Sequence, residues 1–229
     1  YNNNRTIGYR PMKIFLQRYG IYLSTTTIHK YMNKDLNLSA IVMRKKPGYK
    51  SCKKHKIFDN LLKQKFNVDE KNKIWCTDFT YMRQPNGKFR YNCTIMDLFD
   101  RSAIASVNSD YINTELAIET LTEALKKEKP NNGILLHSDQ GVQYTSWEFV
   151  NFCKDNGVIQ SMSKAGCPYD NAPMERFYNT FKNCFYYRYT FESVEQLDEM
   201  TKQYINWYNY VRPHSTNNYM TPMEFRYRA

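Results

Sequence analysis

Two short apolar runs in this chain end in aspartate, and a glutamate opens a helix further on. That arrangement constrains the fold more than any other feature. Ile74-Trp75-Cys76-Thr77 runs into Asp78, and Ile134-Leu135-Leu136 leads through His137-Ser138 to Asp139. Both read as buried strand, with Asp139 at a strand's C-terminal end and Asp78 closing its apolar stretch. Glu175 follows Asp139 with 35 residues between them, in the first turns of a helix whose start is signalled by Asp170 and Pro173. Two strand-borne aspartates and a helix-borne glutamate can converge at one edge of a sheet. At about 4 Å apart each pair would repel by roughly 4 kcal/mol at an effective dielectric near 20. They stay ionised together only if a cation shares them, and hard oxygen ligands suit Mg²⁺ or Mn²⁺.

The residues around these acids predict a mixed sheet. Ile74–Met82 and Phe89–Leu98 read as strands joined through Pro85-Asn86-Gly87, and Arg101–Val107 adds a third, giving an antiparallel meander. A helix from about Thr114 places Ala117, Leu121, Ala124 and Leu125 on one face. Lys126, Lys127 and Lys129 complement its C-terminal dipole before Pro130. The Ile134–Leu136 strand, a helix at Trp147–Asp155 and a strand at Val158–Met162 follow. Strands first and then alternating elements give an α/β (α+β) fold, a mixed sheet flanked by helices. On the Glu175 helix, Phe177, Phe181, Cys184 and Phe185 should pack on the sheet, with Glu175, Tyr178, Asn179 and Lys182 nearly opposite. A last helix begins at Ser193, with Gln196 completing a capping box and Leu197, Met200, Tyr204 and Tyr208 as its packing stripe.

Charge divides the chain. Residues 1–70 hold 15 Lys+Arg and 4 Asp+Glu, so the whole net charge of +11 sits there and the remainder is neutral. A basic front on an acid-bearing body points to nucleic acid as partner. Residues 8–19 suit a helix with Pro11 in its first turn. Gly20 supplies a stop, and Ser24 caps a second helix that reaches about Leu36. There Ile28, Tyr31, Met32 and Leu36 share a packing face, while Thr25, Thr26, His29, Lys30 and Asn33 lie largely on the other. Such a pair is either a helix-turn-helix DNA reader or a plain helical hairpin. Arg44, Lys45, Lys46, Lys50, Lys53, Lys54 and Lys56 then fall within thirteen residues around a Pro47-Gly48 turn, a tether able to neutralise phosphates.

Several classes drop out. No run of about 18 apolar residues is present to span a membrane. Six scattered cysteines without a Cys-x-x-Cys pair fit a reducing cytosol, and Cys52-x-x-His55 lacks the second ligand pair a zinc site needs. Neither a Gly-x-Ser-x-Gly elbow nor a phosphate-binding Gly-x-x-x-x-Gly-Lys loop occurs. Asp97 also ends an apolar strand and reads as a structural residue or one behind the metal ligands, with direct metal contact as the lesser reading. Asp170 reads as a cap, Glu148 as a surface residue, and His137 as an organiser of the Asp139 loop.

Four ordered motifs give the chain a family resemblance. These are Trp75-x-Thr77-Asp78-Phe79-Thr80-Tyr81, His137-Ser138-Asp139-Gln140-Gly141-x-Gln143-Tyr144, Asp170-Asn171-Ala172-x-x-Glu175-x-Phe177, and Tyr204-Ile205-x-x-Tyr208-Asn209-x-x-Arg212-Pro213-His214-Ser215 with Thr221-Pro222-x-Glu224-Phe225 after it. With the 35-residue gap they resemble the IS-three family of bacterial insertion-sequence transposases, which share a ribonuclease H-like catalytic domain with retroviral integrases. The resemblance implies Asp78, Asp139 and Glu175 as catalytic triad and as ligands of two divalent ions. It also implies a DNA contact by Lys182, seven residues after the glutamate. The family often has a second acid nine residues after the glutamate, where Cys184 stands here. Expected partners are double-stranded DNA, as element ends and target, and further copies of the chain, in a bacterial cytoplasm. The first residue is not Met, and the family's usual frameshifted assembly makes this chain the downstream half of a longer enzyme. The expected division is a helix-turn-helix-like segment at 1–43, a basic linker at 44–71, the catalytic core at 72–190 and a packed C-terminal helix and tail at 191–229. A metal-dependent nuclease with the same carboxylates, or a non-catalytic DNA-binding fragment, are the other classes the sequence admits.

Overall fold

The computed structural model describes residues 7–38, 56–84, 86–131 and 133–228. Helix α1 (Tyr9–Arg18) carries Pro11 in its first turn, and the chain leaves it through Gly20 at φ +77°. Helix α2 (Thr25–Lys30) is capped by Ser24, whose Oγ accepts the Thr27 N–H at 3.0 Å. Only half of the expected packing face forms. Ile28 and Met32 are buried, whereas Tyr31 and Leu36 are 47% and 62% exposed. The cause is a π-helical turn at Tyr31–Asp35, closed by Leu36 N–H onto the Tyr31 carbonyl at 2.9 Å. Its extra residue in the turn moves Leu36 off the stripe. The basic stretch at Arg44, Lys45, Lys46, Lys50, Lys53 and Lys54, and Cys52-x-x-His55 with it, lies outside the described residues.

Strands β1 (Ile74–Arg83), β2 (Phe89–Asp97) and β3 (Ala103–Ser109) form the antiparallel meander. The β1–β2 turn closes through Gln84 N–H to Lys88 O at 2.8 Å, with Gly87 at φ +82°. The third strand starts two residues later than expected. Arg101 takes a left-handed φ of 64° and returns its N–H to Asp97 O, so the chain is still turning there. Helix α3 (Thr114–Glu128) leads to β4 (Ile134–Ser138), then α4 (Val142–Thr145), α5 (Trp147–Asp155) and β5 (Val158–Met162). The sheet order is β3-β2-β1-β4-β5, with β4 parallel to β1 and β5 parallel to β4. Helices α6 (Ala172–Cys184), α7 (Val194–Tyr210) and α8 (Pro222–Arg226) follow.

Strand alternation sorts side chains between two cores. Trp75 and Ile95 point to one face, with Leu121, Leu136, Tyr144 and Phe149. Cys76 and Met96 point to the other, with Phe177, Phe181, Phe185, Leu197, Tyr204 and Tyr208 of α6 and α7. At α7 the Ser193 Oγ accepts Gln196 N–H as expected, but the Gln196 side chain turns to the Glu192 N–H, so the box closes one residue early. The intact capping box is at α8, between Thr221 and Glu224. Arg226 in α8 is buried and drives into a pocket of acids at the β2–β3 turn. Its Nη1 meets Asp97 Oδ2 at 3.0 Å and Asp100, and its Nη2 meets Glu128. Asp97 also accepts the N–H groups of Asn72 and Phe99, so it is a structural anchor rather than a metal candidate.

His137 locks β4 to β5. Ser161 Oγ already accepts the Leu61 and Leu62 N–H groups, so it gives its own proton to His137 Nδ1 at 2.9 Å. That assigns the ring proton to Nε2, which donates to Ser163 Oγ at 3.1 Å. Burial pushes the imidazole down to about 4 from its ordinary 6.5. A depressed histidine contributes stability above its unfolded pKa that is lost as pH falls. We expect about 3 kcal/mol to disappear between pH 6.5 and 4 through this group, at 1.36 kcal/mol per unit. Imidazole NMR titration with parallel urea unfolding checks it, and a ring that charges near pH 6.5 in the folded protein contradicts it.

Candidate active site

The ladder between β1 and β4 ends at Cys76 and His137, so β1 runs on past its neighbour with an open edge. Asp78 sits there, half-buried, its Oδ1 accepting the Phe79 N–H at 2.8 Å. Asp139, exposed just beyond β4, folds its Oδ1 onto the Gly141 N–H at 2.8 Å. Space, not φ, sets the constraint at Gly141. A Cβ would stand 2.9 Å from Asp139 Oδ1 and 3.0 Å from Gln143 Oε1.

Two hydrogen bonds clip α6 to this edge and so bring in the third acid. Asn171 Nδ2 donates to Thr77 O at 3.1 Å, and the Tyr178 hydroxyl donates to Asp78 O at 2.8 Å. Glu175 lies between these anchors in the first turn of the helix, exposed. Tyr178 is therefore buried, against the expectation that it shares the open face with Glu175. It belongs to the stripe Met174, Phe177, Tyr178 and Phe181, and its hydroxyl can be buried because main-chain carbonyls accept it. Asn179 and Lys182 keep the outward side.

Asp78 feels the other two carboxylates. Burial pushes Asp78 up to about 8, with the negative charges of Asp139 and Glu175 adding to it and Lys182 opposing it. Glu175 is raised by burial. Among the described residues, no three His, Cys, Asp or Glu side chains stand close enough to hold a metal ion. One feature at the edge favours a further ligand or its water: Asn171 Oδ1 is buried without a hydrogen-bond donor. Asp170 does not cap α6. It is buried and ties Gln64 Nε2 at 2.8 Å to the Lys164 N–H at 3.0 Å, and the Gln64 bond holds its carboxyl below the usual range. Glu148 lies exposed at the start of α5.

Of the DNA-facing expectations, Lys182 is half-buried, with Nζ 4.3 Å from the Tyr81 ring centroid. Thr26, His29 and Lys30 are exposed on α2 and Thr25 is half-buried; the His29 ring meets Tyr9 of α1 edge-on at 4.9 Å. The sequence reading gave no role to Gly141, Asn171 or Tyr178. All three lie inside or beside the motifs, but being uncharged they gave no chemical signal of their own.

Residues 68–168 match the integrase core domain, and residues 156–222 match a second family model of the same description. Over 229 residues the chain is 31% identical to InsK of Escherichia coli K12, a protein of insertion sequence element IS150. The match covers 99% of this chain and 80% of that one. The chain belongs to the IS-three family of bacterial insertion-sequence transposases. As a member of that family it is a DDE transposase, a polynucleotidyl transferase of DNA transposition. Solved structures show the same ribonuclease H-like fold. A simian T-cell lymphotropic virus intasome aligns at TM-score 0.60 and 17% identity over 93% of this chain and 70% of that chain. The catalytic core of HTLV-2 integrase, in complex with magnesium, aligns at TM-score 0.55 and 17% identity over 69% of this chain and 97% of that chain. No helix among the described residues of this transposase is long and apolar enough to cross a membrane.

Proposed function

We propose that Asp78, Asp139 and Glu175 are the catalytic carboxylates of this transposase and that they hold two divalent ions, Mg²⁺ or Mn²⁺. The observation that carries this reading is the pair of hydrogen bonds from Asn171 and Tyr178, which hold the helix of Glu175 against the stretch of β1 that bears Asp78. The donor set is oxygen only, which suits a hard cation. Burial, and then the charges of Asp139 and Glu175, raise Asp78, and a cation held by the three carboxylates would favour its ionised form. When bound, the ions supply activation of an attacking hydroxyl and stabilisation of the leaving oxygen at a phosphodiester. The carboxylates need no covalent role, so hydrolytic nicking at an element end and attack by the freed 3′-hydroxyl can share one site. The α1–α2 pair, through Thr25, Thr26, His29 and Lys30, reads duplex DNA. The residues from Arg44 to Lys54 neutralise its phosphates, and Lys182 contacts the strand near the cleavage point. The division into segments 1–43, 44–71, 72–190 and 191–229, self-association on DNA, and action at the nucleoid in the cytoplasm complete the proposal.

Incubation with labelled element-end DNA and Mg²⁺ or Mn²⁺ tests it. Glu175→Gln should lose nicking and joining together, by more than the about 10–100-fold that loss of an outer-shell partner costs. Being exposed, it should melt like the wild type. A variant that joins pre-nicked ends at the normal rate means that Glu175 is not shared by the two reactions. Gly141→Ala should also slow nicking, by about ten- to hundred-fold. Its methyl group would displace the Asp139 carboxylate, and a shift of about 1 Å at a reacting centre costs that much. Full activity of the alanine variant would separate Asp139 from the chemistry.

A further inference from the structure

Beyond Asp78 the open edge of β1 runs into a groove of about 640 Å³. Its walls include Tyr81, Arg83, Phe89, Lys182, Tyr186 and Tyr189, and none of the described residues lining it is acidic. Tyr81, Phe89 and Tyr189 are 58%, 47% and 48% exposed, an unusual density of open aromatic rings for a soluble surface. The rings are held in place. Tyr81 meets Phe89 edge-on at 5.6 Å, and Tyr186 stacks on Phe191 at 6.1 Å and 10°. The Tyr186 hydroxyl is pinned to the strand, accepting the Arg83 N–H at 2.5 Å and donating to Arg83 O at 3.3 Å. Lys182 links groove to acids: its Nζ stands 4.3 Å from the Tyr81 ring centroid, and its charge acts on Asp78. Along β1, Tyr81 is three residues from Asp78, about 10 Å at 3.3 Å per residue. Along α6, Lys182 is about 10 Å from Glu175 at 1.5 Å per residue.

Rigid aromatic faces interleaved with cations, and free of carboxylates, are what a single nucleic-acid strand binds. Bases stack on the rings while Lys and Arg take the phosphates. A continuous duplex offers no base faces to such a groove, because its bases are already stacked. We propose that the groove is a stacking subsite for an unpaired base of the DNA strand next to the scissile phosphate. Tyr81 is the platform, and Lys182 and Arg83 hold the flanking phosphates. The position next to the scissile phosphate rests on Asp78, Asp139 and Glu175 being the catalytic acids. The base-stacking itself does not.

Binding by the full chain, without metal, separates these claims. The probes are a short fluorescent single-stranded DNA, a blunt duplex, and a forked duplex with 2-aminopurine at its unpaired end. Tyr81→Ala should weaken the single strand by about fivefold or more, the effect of losing one base stack. It should hold the blunt duplex within about twofold and leave the forked 2-aminopurine unquenched, and Tyr81→Phe should restore single-strand binding and quenching. Melting curves establish that each variant is folded. The proposal is overturned if Tyr81→Ala binds the single strand as the wild type does, if it loses both probes alike, or if Tyr81→Phe does not rescue. Asp78→Asn supplies the independent arm. If it quenches 2-aminopurine normally but no longer nicks, groove and catalytic edge are both supported. If it still nicks, the edge assignment fails while the stacking result stands, and the placement beside the scissile phosphate is withdrawn.

Discussion

Asp78→Asn should abolish nicking and joining while leaving the metal-free protein more stable than the wild type. The two effects have one cause. In the folded protein burial and the charges of Asp139 and Glu175 push Asp78 up to about 8 from 3.8. A carboxyl raised on folding contributes stability that is fully present below its unfolded pKa. That stability is lost as pH rises towards the folded pKa. The wild type therefore loses stability through this group between about pH 4 and pH 8, and the uncharged variant does not. One unit corresponds to about 1.4 kcal/mol, and solvent access to the half-buried group reduces the yield. We expect a gain of about 1–3 kcal/mol at pH 8, vanishing near pH 4. Asparagine can keep the bond from the Phe79 N–H, because its Oδ1 occupies the same place. Urea unfolding of both proteins across this range, beside a metal-dependent cleavage assay, checks the prediction. Because His137 titrates in both proteins, its contribution cancels in the difference. A variant that is destabilised at pH 8 would mean that Asp78 is anchored for the fold and not held under repulsion for function.

Arg226→Ala should cost about 3–5 kcal/mol, the largest stability loss of any single truncation discussed for this chain. The guanidinium is 3% exposed, and Asp97 and Asp100 are 0% exposed. Removing it leaves two buried carboxylates facing each other, and Asp97 is already raised to about 6 by its burial and then by Asp100. Backbone donors from Asn72, Phe99 and Ser102 persist but bring no charge. Arg226→Lys should recover only part of the loss. A single ammonium cannot serve Asp97 and Asp100 with one arm and Glu128 and Asn72 Oδ1 with the other, as the planar fork does. Thermal and urea unfolding of the three proteins measures this, and a loss below about 1 kcal/mol would show that water enters and solvates the acids.

Local sequence determined the elements of this protein and the identity of its acids. Apolar runs bounded by Asp78 and Asp139, the Gly87 turn, the Ser24 cap and the Phe177–Phe181–Phe185 stripe depend on neighbours a few residues away, and each formed where those neighbours put it. The motifs sufficed to identify the family, because spacing between elements is itself sequence. What depended on groups far apart in the chain was decided only by the tertiary structure. Asp97 and Asp78 both end apolar strand segments, yet Arg226, 129 residues further on, converts Asp97 into a structural anchor. Tyr178 has the helical position of a partly exposed residue, but carbonyls of Asp78 and Asn92, 100 and 86 residues earlier, make its burial possible. Gly141 carries no chemistry, and its lack of a Cβ matters only because the Asp139 carboxylate folds back over it. The aromatic groove is assembled from the β1–β2 hairpin, the second half of α6 and the segment after it, three regions with no common periodicity. A hydrophobic pattern shows which residues leave water; the partner that satisfies a buried polar group is a fact of three dimensions, since a hydrogen bond requires its donor and acceptor to meet in space.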